Sequence, residues 1–342
     1  MWKSNKNIMK QKYCIGIDIS KQKLDFAVIL SDFTVVEERI VPNQQAKIKS
    51  YLKGLIKRLD LEAGDLLICV EHTGIYNCPV QKACVELKVD LWQEHALKIK
   101  KASADLRGKS DRQDAVRIAE YAVRYQDRVN LFVPAAESIE ELNNLSKTRE
   151  TILAQKVAMN NQLNEAKTHD LELYKVLVKM YKPVIKTIDA QLKKIAQRVN
   201  ELLEENQDMK KNVELIKTIP GVGEQTAINM LISTQNFTLF KSAKHLACYA
   251  GVVPFLNESG TIVKRARVSK LANQKLKMLL HLAAMAAIRT KSDLKTYYIR
   301  KVAEGKNKMS VLNAVRNKLV HRIWAVLQRQ TPFVMENNFL IN

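Results

Sequence analysis

The chain has 342 residues and carries 56 Lys and Arg against 35 Asp and Glu, a formal net charge of +21. This length predicts about two domains, and the basic balance suits a polyanionic partner. The sequence has no apolar run long enough to span a bilayer, no secretory signal and no C-x-x-C pair. It therefore argues against a membrane protein, a secreted protein held by disulfides and a zinc protein with thiolate ligands. We expect a cytoplasmic protein associated with the nucleoid.

The first third of the chain predicts a mixed α/β domain. Apolar runs with strand patterns occur at residues 13–19, 24–30, 34–41, 66–70 and 89–93. Apolar residues at helical spacing predict helices at 44–59, 76–87 and from Ser110 onward. Three strands, a helix and a strand in this order predict a ribonuclease-H-like sheet, here assigned to residues 1–134.

The middle of the chain, residues 135–215, predicts long helices because it is nearly free of Gly and rich in Leu, Lys and Glu. The apolar residues of a helix-packing seam are Ile188, Leu192, Ile195, Val199, Leu202 and Leu203. Pro183 is expected to end one helix and begin the next. This segment is interpreted either as a dimerising coiled-coil arm or as an ordinary helix pair within one subunit.

The last segment, residues 216–342, predicts a mainly α domain. Residues 219–223 resemble the turn of a helix-hairpin-helix, in which glycine amides can face a phosphate. Residues 241–330 contain nineteen Lys or Arg and only three acids. This concentration of positive charge predicts contact with nucleic acid.

Four acids in the first domain could hold metal ions. Asp18 lies inside an apolar strand and Glu71 ends another, where a carboxylate is costly to bury without a cation or partner. Asp111 and Asp114 lie three residues apart at the start of an amphipathic helix, on one face. Together they predict a site for two Mg²⁺ ions, which would serve phosphoryl transfer on a nucleic-acid backbone.

Three of the four acids also have an ordinary structural interpretation. Asp111 could cap the helix, Asp114 could be a first-turn acid favoured by the helix dipole, and Asp18 could pair with a lysine. Two nearby acids are not assigned to the site. Asp25 belongs to the second strand and is expected to face outward, and Asp105 precedes the helix.

A second candidate site lies in the last domain. Ser259 precedes a glycine and a basic run, so its hydroxyl could meet a phosphate, or it could be only a turn serine. Ser269 is the weaker nucleophile candidate and is expected to cap a helix starting at Lys270. The basic residues expected to contact nucleic acid are Lys264, Arg265, Arg267, Lys270 and Lys275.

Six short motifs together resemble a known family. GIDISK at 16–21, VEHTGIY at 70–76 and KSDRQDA at 109–115 resemble the RuvC-like domain of the DEDD transposases of the insertion-sequence-110 family. The turn at 219–223, the stretch from AGVVP at 250–254 to Ser259 and Gly260, and RVSK at 267–270 with Asn273 resemble that family's C-terminal domain. The motifs occur in the family's order and extend over nearly the whole chain.

The resemblance implies a function and its residues. In such enzymes the acids matching Asp18, Glu71, Asp111 and Asp114 bind Mg²⁺, and a serine matching Ser259 attacks DNA to form a covalent phosphoserine link. The family uses a structured guide RNA that pairs with donor and target DNA, and related pilin-gene invertases have the same domains. Its assemblies are dimers or tetramers in which a RuvC-like domain meets the transposase domain of another subunit.

Two other functions remain open at this point. A junction-resolving nuclease would use the same acids with water as the nucleophile, and Ser259 would then be structural. A non-enzymatic nucleic-acid scaffold would use the acids only as caps and ion-pair partners. The sequence also leaves open insertion, excision and inversion of DNA.

Overall fold

A computed structural model describes residues 12–102, 110–259, 262–268 and 271–334, with the backbone alone at 63, 256–259 and 262–267. The chain divides into two compact units, Met1–Pro134 and Ala135–Asn342. None of the helices in the described part of the chain is long and apolar enough to cross a membrane.

The first unit is built on a mixed five-stranded sheet. Its strands are β1 (Tyr13–Ile19), β2 (Lys23–Leu30), β3 (Val35–Pro42), β4 (Leu66–Glu71) and β5 (Asp90–Glu94). They lie in the order β3-β2-β1-β4-β5; β2 runs antiparallel to β1 and β3, whereas β4 and β5 run parallel to β1. The observed sheet confirms the ribonuclease-H-like α/β prediction.

Helices cover both faces of this sheet. They are α1 (Gln45–Arg58), α2 (Cys78–Leu87), α3 (Ala96–Ala102) and α4 (Asp111–Arg124). Since side chains alternate along a strand, odd-numbered residues of β1 such as Ile15 and Ile17 pack with α1 and α2. Cys14, on the opposite face, packs in a second core with Ala115 and Ala119 of α4.

Gly16 lets α4 lie directly against β1. A Cβ atom at this position would lie 2.1 Å from the carbonyl oxygen of Ala115 and 2.3 Å from the amide nitrogen of Ala119. These are backbone atoms of α4, which cannot move without shifting the helix. The absence of a side chain at Gly16 therefore sets the distance between this strand and the helix that begins at Asp111.

Substitution of Gly16 should test this close approach. Gly16→Val is expected to destabilise the protein by about 3 kcal/mol because the side chain overpacks a backbone contact. Gly54→Ala in α1 is the matched control, since its Cβ would meet only the Arg58 guanidinium at 3.6 Å. Urea denaturation should show a loss for Gly16→Val alone; equal stability of the two variants would contradict the packing argument.

The second unit is mostly helical. Its helices are α5 (Glu137–His169), α6 (Leu171–Glu205), α7 (Gln207–Lys217), α8 (Glu224–Thr234), α9 (Ala243–Tyr249), α10 (Gln274–Ala287), α11 (Asp293–Ala303) and α12 (Lys308–Arg329). One apolar core joins residues of α5 and α6, such as Leu142 and Val199, to Ile216 and to Leu319 of α12. The predicted arm segment and the C-terminal helices thus share a core.

The expected helix break at Pro183 is wrong. Pro183 lies inside α6, and the chain instead turns at Asp170 between α5 and α6. The Asp170 carboxylate accepts hydrogen bonds from the amides of Glu172 and Leu173 at 3.1 and 3.0 Å, which caps α6. Pro183 is exposed, so solvent can hydrate the carbonyl group that its missing N–H leaves without a partner.

Two features around the second candidate site differ from the sequence expectation. Residues Pro254–Ser259 and Ile262–Val268 form an antiparallel β-hairpin, β6 and β7, within the segment predicted to be mainly helical. The next helix, α10, begins at Gln274 and is capped by Asn273, whose side chain accepts from the amide of Leu276 at 3.0 Å. A helix starting at Lys270 is therefore wrong, and Ser269 itself lies outside the described residues.

Candidate metal centre

Strand pairing brings acidic residues together at one edge of the sheet. Asp18 lies opposite Asp25 in the β1–β2 pair, and Glu71 ends β4, the other neighbour of β1. By strand alternation, all three lie on the face that packs against α4. The first turn of α4 contributes Asp111 and Asp114. We call these five residues the carboxylate cluster.

The carboxylate cluster is close enough to be strongly self-repelling. One carboxylate oxygen from each of Asp18, Asp25 and Asp111 lies within 4.8 Å of the others. Burial, and then repulsion from Asp111, Asp114, Glu71 and Asp25, raises the pKa of Asp18 to about 6. The pKa of Glu71 is raised as well, by burial and by Asp114. The four predicted acids thus act on one another around Asp18.

Asp111 does not cap α4. Ser110 is the capping residue, and its hydroxyl accepts from the amide of Gln113 at 3.3 Å. The Asp111 carboxylate instead forms an ion pair with the Lys23 ammonium at 2.9 Å. Asp114 forms an ion pair with Arg117 at 2.8 Å, one turn further along the helix.

The expectation that Asp25 faces outward is wrong. Asp25 is only 6% exposed, and its carboxylate lies 3.0 Å from the Lys23 ammonium. The physical reason is the tight turn between β1 and β2, which sets a register in which Asp25 is opposite Asp18 and therefore on the same face. Asp105 lies outside the described residues.

Sequence reasoning also missed two residues that shape the cluster. Glu94 ends β5 beside Glu71 and is 8% exposed; it accepts hydrogen bonds from the amide of His95 at 2.7 Å and from the Tyr121 hydroxyl at 3.3 Å. Asn77 is buried, and its amide donates to the carbonyl of Glu71 at 2.8 Å, which fixes the end of β4. Strand alternation in β5 could have indicated Glu94; Asn77 follows from loop geometry.

The donor set fits a hard divalent cation. Carboxylate oxygens are the ligands that such ions prefer, and burial together with repulsion from the neighbouring acids raises the pKa of Asp18. A bound cation would remove that repulsion. The sheet edge and the first turn of α4 hold the acids on rigid elements.

The pKa of Asp18 gives a testable pH dependence. It is raised from its ordinary value of 3.8 to about 6, so folding favours the protonated form in metal-free protein. Its stabilising contribution is therefore full below about pH 4 and is lost as the pH rises through about 6. Asp18→Asn should raise the free energy of unfolding at pH 7 by about 1–2 kcal/mol, a value reduced for solvent screening.

Urea denaturation in EDTA between pH 4 and pH 8 measures this effect. Asp60→Asn, at an exposed position after α1, is the matched control and should follow the wild-type curve. A destabilised Asp18→Asn protein at pH 7 would show that the carboxylate has a favourable partner in the metal-free state.

The second candidate site is described only in part. Ser259 is the last residue of β6 and pairs with Ile262, and Lys264, Arg265 and Arg267 lie on β7. For Ser259 and these three basic residues, the structure describes the backbone alone. Lys270 lies outside the described residues. Lys275 forms an ion pair with Glu150 of α5 at 2.5 Å and donates to Ser146 at 3.0 Å.

Two family models match the chain. The DEDD transposase model of insertion sequence IS110 matches residues 15–166, which include all four predicted acids, and the model described as "Transposase IS116/IS110/IS902 family" matches residues 213–299. The two matches define the chain as a DEDD transposase. It belongs to the IS110 family of insertion-sequence transposases.

Individual relatives are similar over different lengths. The pilin gene-inverting protein of Moraxella bovis is 25% identical over 94% of this chain and 98% of its own length. The transposase of insertion sequence element IS1111A from Coxiella burnetii is 27% identical over 66% of this chain and 68% of its own length. Among solved structures, T. thermophilus RuvC in complex with a Holliday junction substrate matches 35% of this chain and 99% of its own, with 15% identity and a TM-score of 0.29.

Proposed function

We propose that this transposase cuts and rejoins double-stranded DNA through a covalent phosphoserine intermediate, directed by a structured guide RNA. The main support is the carboxylate cluster, in which the other three acids of the DEDD pattern, Glu71, Asp111 and Asp114, all repel Asp18. Such a concentration of acids on a ribonuclease-H-like sheet suits metal-assisted phosphoryl transfer. Membership of a transposase family supports DNA as the substrate.

The proposed metal ligands are Asp18, Glu71, Asp111 and Asp114, and the proposed ions are two Mg²⁺. Such ions, when bound, would supply positive charge to the non-bridging and leaving oxygens of the phosphate. Asp18 is the acid whose pKa each of the other three raises, so a bound cation would relieve the repulsion on it. Asn77 keeps the end of β4, and therefore Glu71, in position.

Ser259 is the proposed nucleophile. Its hydroxyl oxygen would form a bond to phosphorus as one phosphorus–oxygen bond of the DNA strand breaks, and the departing strand would leave with a hydroxyl end. Attack by a DNA hydroxyl on the phosphoserine then restores both groups. Since each step exchanges one phosphate ester for another, no external energy source is required. Ser259 is the last residue of β6, and the basic strand β7 follows it; this position supports the proposed role.

The proposed nucleic-acid contacts are Lys264, Arg265, Arg267, Lys270 and Lys275. Their support is the surplus of positive charge over residues 241–330. Contact through Lys275 would require its ion pair with Glu150 to open. A guide RNA is proposed because the chain belongs to a family with which such RNA is associated, and the same basic surface would have to serve both nucleic acids.

Site-specific DNA inversion is the second candidate. It is favoured by the similarity to the Moraxella bovis pilin gene-inverting protein, which extends over nearly all of both chains. Inversion and transposition would use the same cutting and joining steps and differ in the arrangement of the DNA sites.

A plasmid rearrangement assay with the gene's own flanking DNA tests the proposal. We expect joined products, DNA covalently attached to protein, and dependence on both a divalent ion and RNA transcribed from the flank. Free cut ends without attached protein would favour the junction-resolving nuclease, and inverted segments without insertion would favour the invertase. Product unaffected by ribonuclease, with no co-purified RNA, would remove the guide-RNA part.

The helices α5 and α6 support a proposed homo-oligomer. Ile188, Ile195 and Val199 of the α6 seam are buried within the chain. This part of α6 fits the interpretation as a helix pair packed within one subunit. Nearer the start of α6, a second set of apolar side chains recurs at three- and four-residue spacing. These exposed residues, the α6 apolar face, are Leu173, Val176, Met180 and Val184.

We assign the α6 apolar face to a second copy of this chain. Four exposed apolar side chains on one helix face form a stripe that favours helix pairing, and the stripe leads into the buried seam that begins at Ile188. A copy of the same helix offers a matching stripe. Dimers or tetramers of the transposase would follow.

Charge placed on the α6 apolar face should break the oligomer. Val176→Glu with Met180→Glu is expected to yield monomers because two buried carboxylates would be unpaired in the interface. Lys175→Glu with Lys182→Glu, at exposed positions on the opposite side of α6, is the matched control and should keep the wild-type mass. Light scattering after size exclusion measures the mass; an unchanged oligomer in the first variant would exclude this face as the interface.

A further inference from the structure

Lys23 places a positive charge inside the carboxylate cluster. Its ammonium lies 3.0 Å from a carboxylate oxygen of Asp25 and 2.9 Å from one of Asp111. Those two acids, together with Asp18, are the ones whose oxygens lie within 4.8 Å of one another. The lysine therefore occupies the position of a cation that bridges two members of the cluster.

The backbone at Lys23 is held by a hydrogen-bonded turn. The Lys23 amide donates to the Ser20 hydroxyl oxygen at 3.3 Å, and that hydroxyl donates to the Lys23 carbonyl at 2.7 Å. The Asn43 side-chain amide donates to the Ser20 carbonyl at 2.9 Å, which ties the turn to the end of β3. Lys23 is thus presented to the cluster by a fixed backbone, although its side chain is 42% exposed and can swing outward.

Asp25 explains why the lysine would stay near the cluster. The Asp25 side chain is 8% exposed, whereas that of Asp111 is 56% exposed. A buried carboxylate is costly without a cation, so the pair with Asp25 is the more strongly required of the two. Asp111 can exchange its partner at lower cost because water already reaches it.

We propose that Lys23 is a resident counter-ion of the carboxylate cluster, which a divalent metal ion displaces from Asp111 and which Asp25 then retains. The inference rests on the proposed metal site. An ammonium 2.9 Å from Asp111 competes for the same carboxylate and repels an incoming cation. Lys23 thereby weakens metal binding and stabilises the metal-free protein.

Mn²⁺ binding and metal-free stability together test this role. Lys23→Met in the full chain should bind Mn²⁺ at least about tenfold more tightly, about 1.4 kcal/mol. In EDTA the same variant should unfold at a lower temperature, since the acids lose their counter-ion. Lys23→Arg keeps the charge and should remain near wild type in both measurements. Lys49→Met, which removes an ion pair with Glu86 between α1 and α2, is the matched control for loss of a surface lysine.

The outcomes separate this inference from the metal site itself. Titration of free Mn²⁺ by electron paramagnetic resonance should show strongly weakened binding in Asp18→Asn. If Asp18→Asn loses Mn²⁺ but Lys23→Met binds it no more tightly than wild type, the metal site stands and the counter-ion role is wrong. If Asp18→Asn binds Mn²⁺ like wild type, the proposed metal site fails. Should Lys23→Met not fold, Lys23→Gln replaces it with the same expected direction.

Discussion

Asp18→Asn should reduce DNA rearrangement by at least about a thousandfold, because it removes the carboxylate on which the repulsion of the proposed metal ligands converges. The amide has nearly the same shape but carries no charge, so the sheet and α4 should remain in place. DNA binding should persist, since the basic residues that support it belong to the second unit. The measurement is the plasmid rearrangement assay, with DNA binding measured on the same preparation.

The same substitution separates catalysis from folding. Asp18→Asn is expected to be more stable than wild type in EDTA at pH 7, so a loss of rearrangement in a stabilised protein could not come from unfolding. Asp60→Asn, exposed and remote in sequence, should retain wild-type rearrangement. Wild-type rearrangement by Asp18→Asn would remove the metal-site claim and leave the acids as caps and ion-pair partners.

Strand patterns predicted the central strands of the first unit because both faces of these strands are buried. Residues 13–19 and 66–70 are apolar almost throughout, and the observed β1 and β4 match them to within a residue. The same pattern could not show that Gly16 sets the approach of α4. That contact depends on residues about a hundred positions apart and appears only when the helix is packed on the strand.

The acids of the candidate site were predictable to different degrees. Asp18 and Glu71 interrupt apolar strands, and Asp111 and Asp114 begin an amphipathic helix, so their burial cost and spacing drew attention to them. Asp25 was misassigned because its direction depends on the register of β1 and β2. Lys23 was missed because a lysine at the start of a strand usually points into solvent; only the placement of Asp25 and Asp111 gives it partners.

The helical unit shows why chain breaks are harder to predict than helices. Pro183 was taken as a break because proline removes a backbone donor, yet an exposed carbonyl can be hydrated and α6 continues through it. Asp170 lies between the two helices and caps the second one. In the sequence, this break is marked only by a single acid in a polar stretch. The β6–β7 hairpin was not predicted because the run of basic residues in the second strand has neither a clear strand pattern nor a clear helix pattern.

Ser259→Ala should abolish both the covalent protein–DNA adduct and the rearranged product. The substitution removes only the hydroxyl oxygen, so metal binding by the first unit should be unchanged. Labelled DNA that stays attached to protein after denaturation measures the adduct. Trypsin would release residues 245–264, a peptide in which Ser259 is the only serine, so mass spectrometry can locate the nucleotide. Ser310→Ala, an exposed serine at the start of α12, is the matched control and should retain activity.

The result for Ser259→Ala also decides between a serine and a water nucleophile. If water attacks the phosphate, Ser259→Ala should still cut DNA, and no adduct should form even in wild type. If the serine attacks, cutting and adduct must disappear together, because the bond that breaks in the DNA is exchanged for the bond to Ser259. Mixing the Asp18→Asn and Ser259→Ala proteins extends the test. The family resemblance implies that the acids and the serine act from different subunits. Mixed oligomers should then recover part of the rearrangement that neither variant performs alone.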